Sequence, residues 1–417
     1  MTLRATTLSH ANLKVDRLTC FFFLLLLLAV SRGVLELIVA KKFAMIFQFG
    51  GLMAFSAVLF SPHPFIITSK QKWLLAMILL FMTESFISCI TTFYKNQTFI
   101  WVVYITFNAG LLGIALVTVR DFRPKELARG IALIILLIGW VLMGVGVIEQ
   151  TRLIKMVGSG DMYLIRPASL TGSFLHYPIL MALLGYICIQ WYTLSKKTLY
   201  LWSGFLFCFS TIISFSRSGA LIVLATIFFY PLVSPLKKSK RILCILFLFI
   251  LFLVFAFTTY TKESRNSLFH NIVYRVVSSV NTKSLGNNVR INIWDRVTTE
   301  WLDTNLLIGE EAGEYTNSSN NLRAKKQMNM NISKVTESSV LQLLMNFGIL
   351  GMVLFYGILF QIMRFIEPEH YWMRAVFLGA MVQTLVYQSI EVVPFIVLLF
   401  LFPWISQSLK AQTEIKI

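Results

Sequence analysis

Four side chains stand in contexts suited to handling an anion and a proton. Arg217 sits in Ser214-Phe-Ser-Arg-Ser-Gly-Ala220, between two apolar runs. An arginine at the centre of a membrane helix costs about 2.5–3.5 kcal/mol on insertion scales. It is therefore either a turn residue whose side chain snorkels to the surface or an anion clamp. A guanidinium pairs bidentately with phosphate, and Ser216, Ser218 and the start of the following helix would add donors. Arg166 opens Arg166-Pro-Ala-Ser-Leu-Thr-Gly-Ser-Phe-Leu-His-Tyr-Pro178, and Arg290 opens Arg290-Ile-Asn-Ile-Trp-Asp-Arg-Val-Thr-Thr-Glu-Trp301. Each is either a solvated surface charge or part of the same clamp, and two or three converging arginines would hold a diphosphate without a metal. Glu337 stands directly before the apolar run Val340–Phe360. It suits two roles that do not exclude one another: an acid favoured by a helix N-terminus, or a general base taking the proton of a hydroxyl.

The remaining polar residues in apolar runs read more simply. Arg32 and Glu36 lie four apart in the first run and are expected to pair. Glu84 is a lone acid with no evident partner. His176 suits packing or capping at the head of a helix. The five histidines show no metal-ligand spacing, and the five cysteines all fall in apolar runs with neither a disulfide framework nor a zinc pattern. No Asp-x-Asp, phosphate-binding glycine loop or Gly-x-Ser-x-Gly is present, which argues against a metal-dependent nucleotide-sugar transferase, an ATPase and a serine hydrolase. No cofactor and no metal are expected.

The elements that must position these groups are membrane helices. Of the 417 residues 57% are hydrophobic and 13% charged, against about 25% charged in a soluble domain, and mean hydropathy is +0.74. The fold class expected is an all-α polytopic membrane protein. At about 20 apolar residues per span, the runs give about twelve: Leu18–Val39, Phe43–Phe60, Trp73–Ile90, Phe99–Val119, Ile131–Ile148, Tyr177–Tyr192, Leu199–Phe215, Gly219–Val233, Ile242–Phe257, Val340–Met363, Met373–Ile390 and Val393–Leu409. The first run lacks a cleavage site and reads as a retained span. Three regions follow: spans 1–9 over residues 1–259, a large external loop with an amphipathic helix over 260–337, and spans 10–12 over 338–417.

Lysine and arginine crowd alternate connections, among them Arg120, Arg123, Lys125 and Arg129, then Lys237, Lys238, Lys240 and Arg241. That bias places both termini in the cytoplasm and accounts for much of the net charge of +18. No basic soluble face suited to nucleic acid is visible. The stretch Tyr260–Glu337, the Glu149–His176 connection and the Phe215–Ser218 turn then lie together outside. A polar insert of this size is far longer than the usual connection of about 4–6 residues, and such inserts on rigid scaffolds tend to hold function. Within it Ile291, Trp294, Val297 and Trp301 suit one face of a helix. Asn96, Asn317 and Asn331 match the glycosylation sequon, which at this composition reads as chance. No internal repeat or inverted pair of interrupted spans is seen.

These segments, in this order, resemble the O-antigen polymerase and ligase superfamily of bacterial envelope enzymes. Arg166 to Pro178 is similar to that family's Arg…Gly-x-Phe…Pro approach to a middle span, and Ser214 to Ala220 to its Ser-Arg-Gly/Ser-Ala turn. Arg290…Trp294…Leu306…Gly309 resembles the start of the large external loop, and Glu337-Ser-Ser-Val-Leu-Gln-Leu-Leu-Met-Asn-Phe-Gly-Ile-Leu-Gly351 the span after it. The resemblance implies a multi-pass protein of the bacterial inner membrane with its active site facing the periplasm. It implies transfer of a glycan from undecaprenyl diphosphate, with Arg166, Arg217 and Arg290 binding the diphosphate and Arg217 and Glu337 catalytic. Ligases of this family carry a His-Asn pair at the head of the span after the loop; Glu337 and Ser338 stand there in this chain. A carboxylate at that position resembles the polymerases, whose acceptor is a second lipid-linked repeat unit. The implied partners are the lipid-linked oligosaccharide as donor and acceptor, the bilayer and a chain-length regulator protein. A ligase acting on lipid A-core and a polysaccharide or lipid transporter are the competing readings.

Overall fold

The computed structural model describes residues 17–39, 69–96, 127–160, 165–237, 285–309 and 336–414, with single positions at 43, 44, 47, 48, 50, 51, 52, 54, 108 and 315. Among the described residues the protein is all-α and has no strand; one isolated antiparallel bridge joins Gly160 and Arg166. The helices are α1 (Arg17–Val30), α2 (Arg32–Ile38), α3 (Ser69–Asn96), α4 (Leu127–Gln150), α5 (His176–Ser195), α6 (Thr198–Ile213), α7 (Arg217–Val233), α8 (Leu285–Leu302), α9 (Ser339–Arg364), α10 (Tyr371–Val386) and α11 (Val393–Glu414). Five of them, α3, α4, α5, α9 and α11, are long and apolar enough to cross a membrane, and α6 and α7 are shorter apolar helices.

Helices occupy the expected apolar runs wherever those runs are described, with two refinements. Leu18–Val39 is broken at Ser31 into α1 and α2. The run expected to end at Ile390 leaves the helix at Val386, and Tyr387–Val392 turns inward instead. The spans expected over Phe43–Phe60, Phe99–Val119 and Ile242–Phe257, and the sequons at Asn317 and Asn331, lie outside the described residues, apart from scattered positions in the first two runs.

Helix packing follows the apolar pattern. α5 and α6 approach closely because Gly185 and Gly204 face each other: a Cβ on Gly204 would lie 2.9 Å from the Gly185 carbonyl oxygen. α3 and α9 run antiparallel, with Ser88 donating to the Asn346 carbonyl at 2.7 Å and Met77 lying against Gly357. α11 is the centre of the core, its residues from Phe395 to Phe402 fully buried. Outward, α4 exposes Leu133 and Leu137, and α6 exposes Trp202, Phe205 and Phe209. Exposed apolar surface on this scale suits a lipid surround rather than water.

The contacts sort the helix ends into two groups. Gln150 at the end of α4 donates to Ile213 O at the end of α6. Thr211 donates to Pro178 O at the head of α5, and Gly219 near the head of α7 packs on the same proline. α10 runs antiparallel to α7, with Trp372 stacked on Tyr230 and Gly379 against Ile222 and Thr226. Its C-terminus therefore reaches that same end. At the other end lie the Lys196–Lys197 turn, the Lys410–Glu367 ion pair at 3.2 Å and His370, whose Nδ1 lies 2.7 Å from Ser406 Oγ.

Candidate active site

The head of α9 is built around serines. Ser338, in extended conformation, is the residue before the helix, and its Oγ donates to Leu385 O at 2.8 Å. Ser339 Oγ donates to Tyr387 O at 2.8 Å and accepts the Ser389 N–H at 2.9 Å. These bonds satisfy backbone groups that α10 releases when it stops at Val386, which is why Tyr387–Val392 can turn in without leaving its amides bare. Below them Gln342 and Gln388 both donate to Glu391 Oε1, at 2.6 and 2.8 Å, and Gln388 also donates to Tyr315 O. Glu391 is buried, and its Oε1 is met by amide donors rather than solvent.

Glu337 stands just outside this frame, with a positive φ of 56°. That region is unfavourable for a residue with a Cβ and is held only where surrounding contacts fix it. Its carboxylate does not cap α9; it accepts a hydrogen bond from Arg290 Nε at 3.3 Å. The Arg290 guanidinium also lies over the Tyr387 ring, 4.6 Å from its centroid. Arg290 and Glu337, 47 residues apart in sequence, are thus brought together as a pair that their separate sequence contexts did not announce.

α8 explains how Arg290 arrives there. It starts at Leu285, earlier than the amphipathic tract suggested, and its packing face is Ile293, Val297 and Trp301 against Tyr315, Leu341 and Met345. Ile291, expected on that face, is exposed instead. A spacing of four from Val297 favours Ile293 over Ile291, which two residues away falls on nearly the opposite side of the helix from Ile293. Arg290 lies one turn before Ile293 and is carried to the edge of the same contact.

Arg166 and Arg217 lie at the same end of the bundle but make separate contacts. Arg166 pairs its backbone with Gly160, at 3.0 and 3.1 Å, and sets its guanidinium 4.0 Å from the Phe174 centroid. The loop around it is held by Glu149, fully buried, which accepts the Met156 and Ser169 amides. Arg217 is the first residue of α7 and is half-buried. The turn before it includes Phe215 at φ 55°. Ser216 and Ser218, expected as further anion donors, are buried and their hydroxyls face each other at 2.9 Å. One hydroxyl hydrogen is used within that pair, so at most one of the two is left to donate outward.

Sequence reasoning missed Tyr387, Gln342, Gln388 and the buried role of Glu391. Gln342 does fall at a helical spacing from Ser338 and Asn346, a polar stripe in an otherwise apolar run. Glu391 falls between the runs Met373–Ile390 and Val393–Leu409, with no sign in the sequence that it is buried. Among the described residues no cluster of three or more histidine, cysteine or acidic side chains could hold a metal ion. The chemistry this arrangement offers is anion binding by guanidinium groups beside a carboxylate, at one end of an apolar bundle.

No curated protein matches the chain. Residues 202–356 match the family model described as O-antigen ligase, a segment that runs from α6 to α9 and contains Arg217, Arg290 and Glu337 but not Arg166. That match, over somewhat more than a third of an all-α membrane chain, supports a likeness to the O-antigen polymerase and ligase superfamily.

Proposed function

We propose that the protein is an O-antigen polymerase: it moves a growing glycan from undecaprenyl diphosphate to a sugar hydroxyl of a second lipid-linked repeat unit. The observation that carries this reading is the Arg290–Glu337 pair at the head of α9, where a cation and a potential base meet beside Tyr387. In the reaction Arg290 leaves the carboxylate for the departing diphosphate, joined there by Arg217 and Arg166. Their charge stabilises the leaving group, an electrostatic effect that is commonly the largest in catalysis. Glu337, released, takes the proton of the acceptor hydroxyl as the glycosidic bond forms. The external segment over residues 260–337 covers the sugars and excludes water, whose attack is the competing reaction. Both lipid-linked units approach from the periplasmic face of the inner membrane, and a chain-length regulator is the expected protein partner.

The carboxylate at Glu337, in the place where the ligases carry histidine, favours polymerase over ligase. Chromosomal deletion tests it through the lipopolysaccharide run on a gel. Loss of a polymerase leaves core bearing a single repeat unit. Bare core with accumulated lipid-linked polymer would instead identify the ligase, and an unchanged ladder would remove both.

A further inference from the structure

α9 is broken where it meets α3, and the break is lined by polar groups the transfer reaction does not use. Gly348 has φ 61° and ψ −164°, outside helical geometry. The N–H groups of Ile349 and Leu350 consequently turn to Leu306 O and Leu307 O, at 2.9 and 3.1 Å. The carbonyls of Met345 and Asn346 lose those two donors. Asn346 O gains the Ser88 hydroxyl from α3. One turn below Ser88 on the same helix lies Glu84, opposite Gly351: a Cβ there would sit 2.8 Å from Glu84 Oε2.

Two side chains flanking the break are buried and unsatisfied. Glu84 is 6% exposed and neither carboxylate oxygen has a hydrogen-bond partner. Asn346 is 0% exposed, and both its amide oxygen and nitrogen lack one. Glu84 is far from either end of a helix about 42 Å long by its 28 residues, so its carboxylate cannot reach water at a surface. Native proteins rarely leave such groups bare. Broken membrane helices with unwound carbonyls and a buried acid are suited to small monovalent cations.

We propose that Glu84 and Asn346 bind one alkali metal cation of Na+ size at the break in α9. The donors are hard oxygens, the Glu84 carboxylate and the Asn346 amide oxygen, completed by backbone carbonyls released at Gly348. One carboxylate balances one positive charge; a divalent ion would leave the site with a buried net charge. The bound ion braces the short first section of α9, which also bears Gln342 and the frame around Glu391. The site does not depend on the transferase reading.

The test uses the full-length protein in nanodiscs, with dicyclohexylcarbodiimide, which adds to buried carboxyl groups, and with Na+ exchanged for choline at constant ionic strength. Labelling of the Glu84 peptide, read by mass spectrometry, is expected in choline. Na+ at about ten times the dissociation constant is expected to slow it about tenfold, by mass action, and to raise the melting midpoint. Glu84→Gln removes both effects. Asn346→Ala keeps the label and weakens the Na+ protection, which serves if the glutamate variant does not fold. The proposal falls if Na+ leaves both the labelling rate and the melting midpoint where choline leaves them, the result expected of a merely protonated acid.

Discussion

At the scale of single residues, the ion pair between Arg290 and Glu337 separates two kinds of role. If the pair only fastens α8 to α9, replacing either partner lowers stability, and a screened pair of this exposure contributes little, about 0–1 kcal/mol. If Glu337 is the base, Glu337→Gln keeps the shape and removes the proton acceptor. We expect that variant to express and melt like the parent while losing about 10²–10⁴-fold in polymerisation rate, measured on synthetic lipid-linked repeat units. Full activity in Glu337→Gln would leave only a structural role. Arg217→Ala is expected to lose about 10²–10³-fold, the usual cost of removing one preorganised charge-stabilising group. Arg290→Lys tests geometry rather than charge. A lysine keeps the positive charge but not the planar fork that lies over Tyr387, so activity should fall without a comparable fall in the melting midpoint. The contexts of Arg217, Arg290 and Glu337 were legible in the sequence because charge is rare in such a chain. Tyr387 was not, because an aromatic at the end of an apolar run looks like any other span residue.

At the scale of elements, α9 is where the turn Leu306–Gly309, after α8, is tied to the helix bundle. Gly309 and Gly348 both have positive φ, and neither has room for a side chain: a Cβ on Gly348 would lie 2.3 Å from the Leu307 carbonyl, and one on Gly309 2.7 Å from Gly348 N. Gly348→Ala must therefore either push the Leu306–Gly309 turn away or close the break. A left-handed conformation at a non-glycine residue costs about 1–3 kcal/mol before the overlap is counted. The expected result is a lower melting midpoint and faster proteolysis of the segment after α8. Gly357→Ala, on the same helix but facing the flexible Met77 side chain at 3.3 Å, is expected to be mild. Equal effects from the two would mean that the break is not a fastening. Hydropathy made α9 visible as one span, and nothing in Asn346-Phe-Gly-Ile-Leu350 marks this glycine as bent. The bend is imposed by carbonyls from Leu306 and Leu307, some forty residues earlier, and such a tertiary cause has no local signature. The shift of the α8 face from Ile291 to Ile293 has the same origin: two apolar residues compete for one side, and the packing partner, Met345, decides.

At the scale of the whole molecule, the reading requires that the Arg290–Glu337 end of the bundle face the periplasm. Helix ends sort into two groups on contacts alone, and the proposal takes the compartment of each from the charge bias of the connections. α5 spans the two groups with 20 residues, about 30 Å at 1.5 Å per residue, which matches the hydrocarbon thickness of a bilayer. Two positions at its opposite ends make the assignment measurable. Leu153, in the connection after α4, is 78% exposed, and Lys197 lies exposed in the turn between α5 and α6. The native cysteines all fall in apolar runs, and because Cys20 is exposed labelling by a charged, membrane-impermeant maleimide is read against the parent protein as background. In spheroplasts, Leu153→Cys should be modified at once and Lys197→Cys only after the membrane is opened. The reverse pattern would put the arginines and Glu337 in the cytoplasm, where undecaprenyl-linked units await export rather than polymerisation, and the proposed reaction would lose its substrate. The same two labels bear on the competing transporter reading. A transporter must expose its central groups to both sides in turn, whereas a transferase of this design keeps its charged end on one side throughout. Labelling of Leu153→Cys that stays complete, and of Lys197→Cys that stays absent, with and without lipid-linked substrate, is the outcome a one-sided enzyme requires.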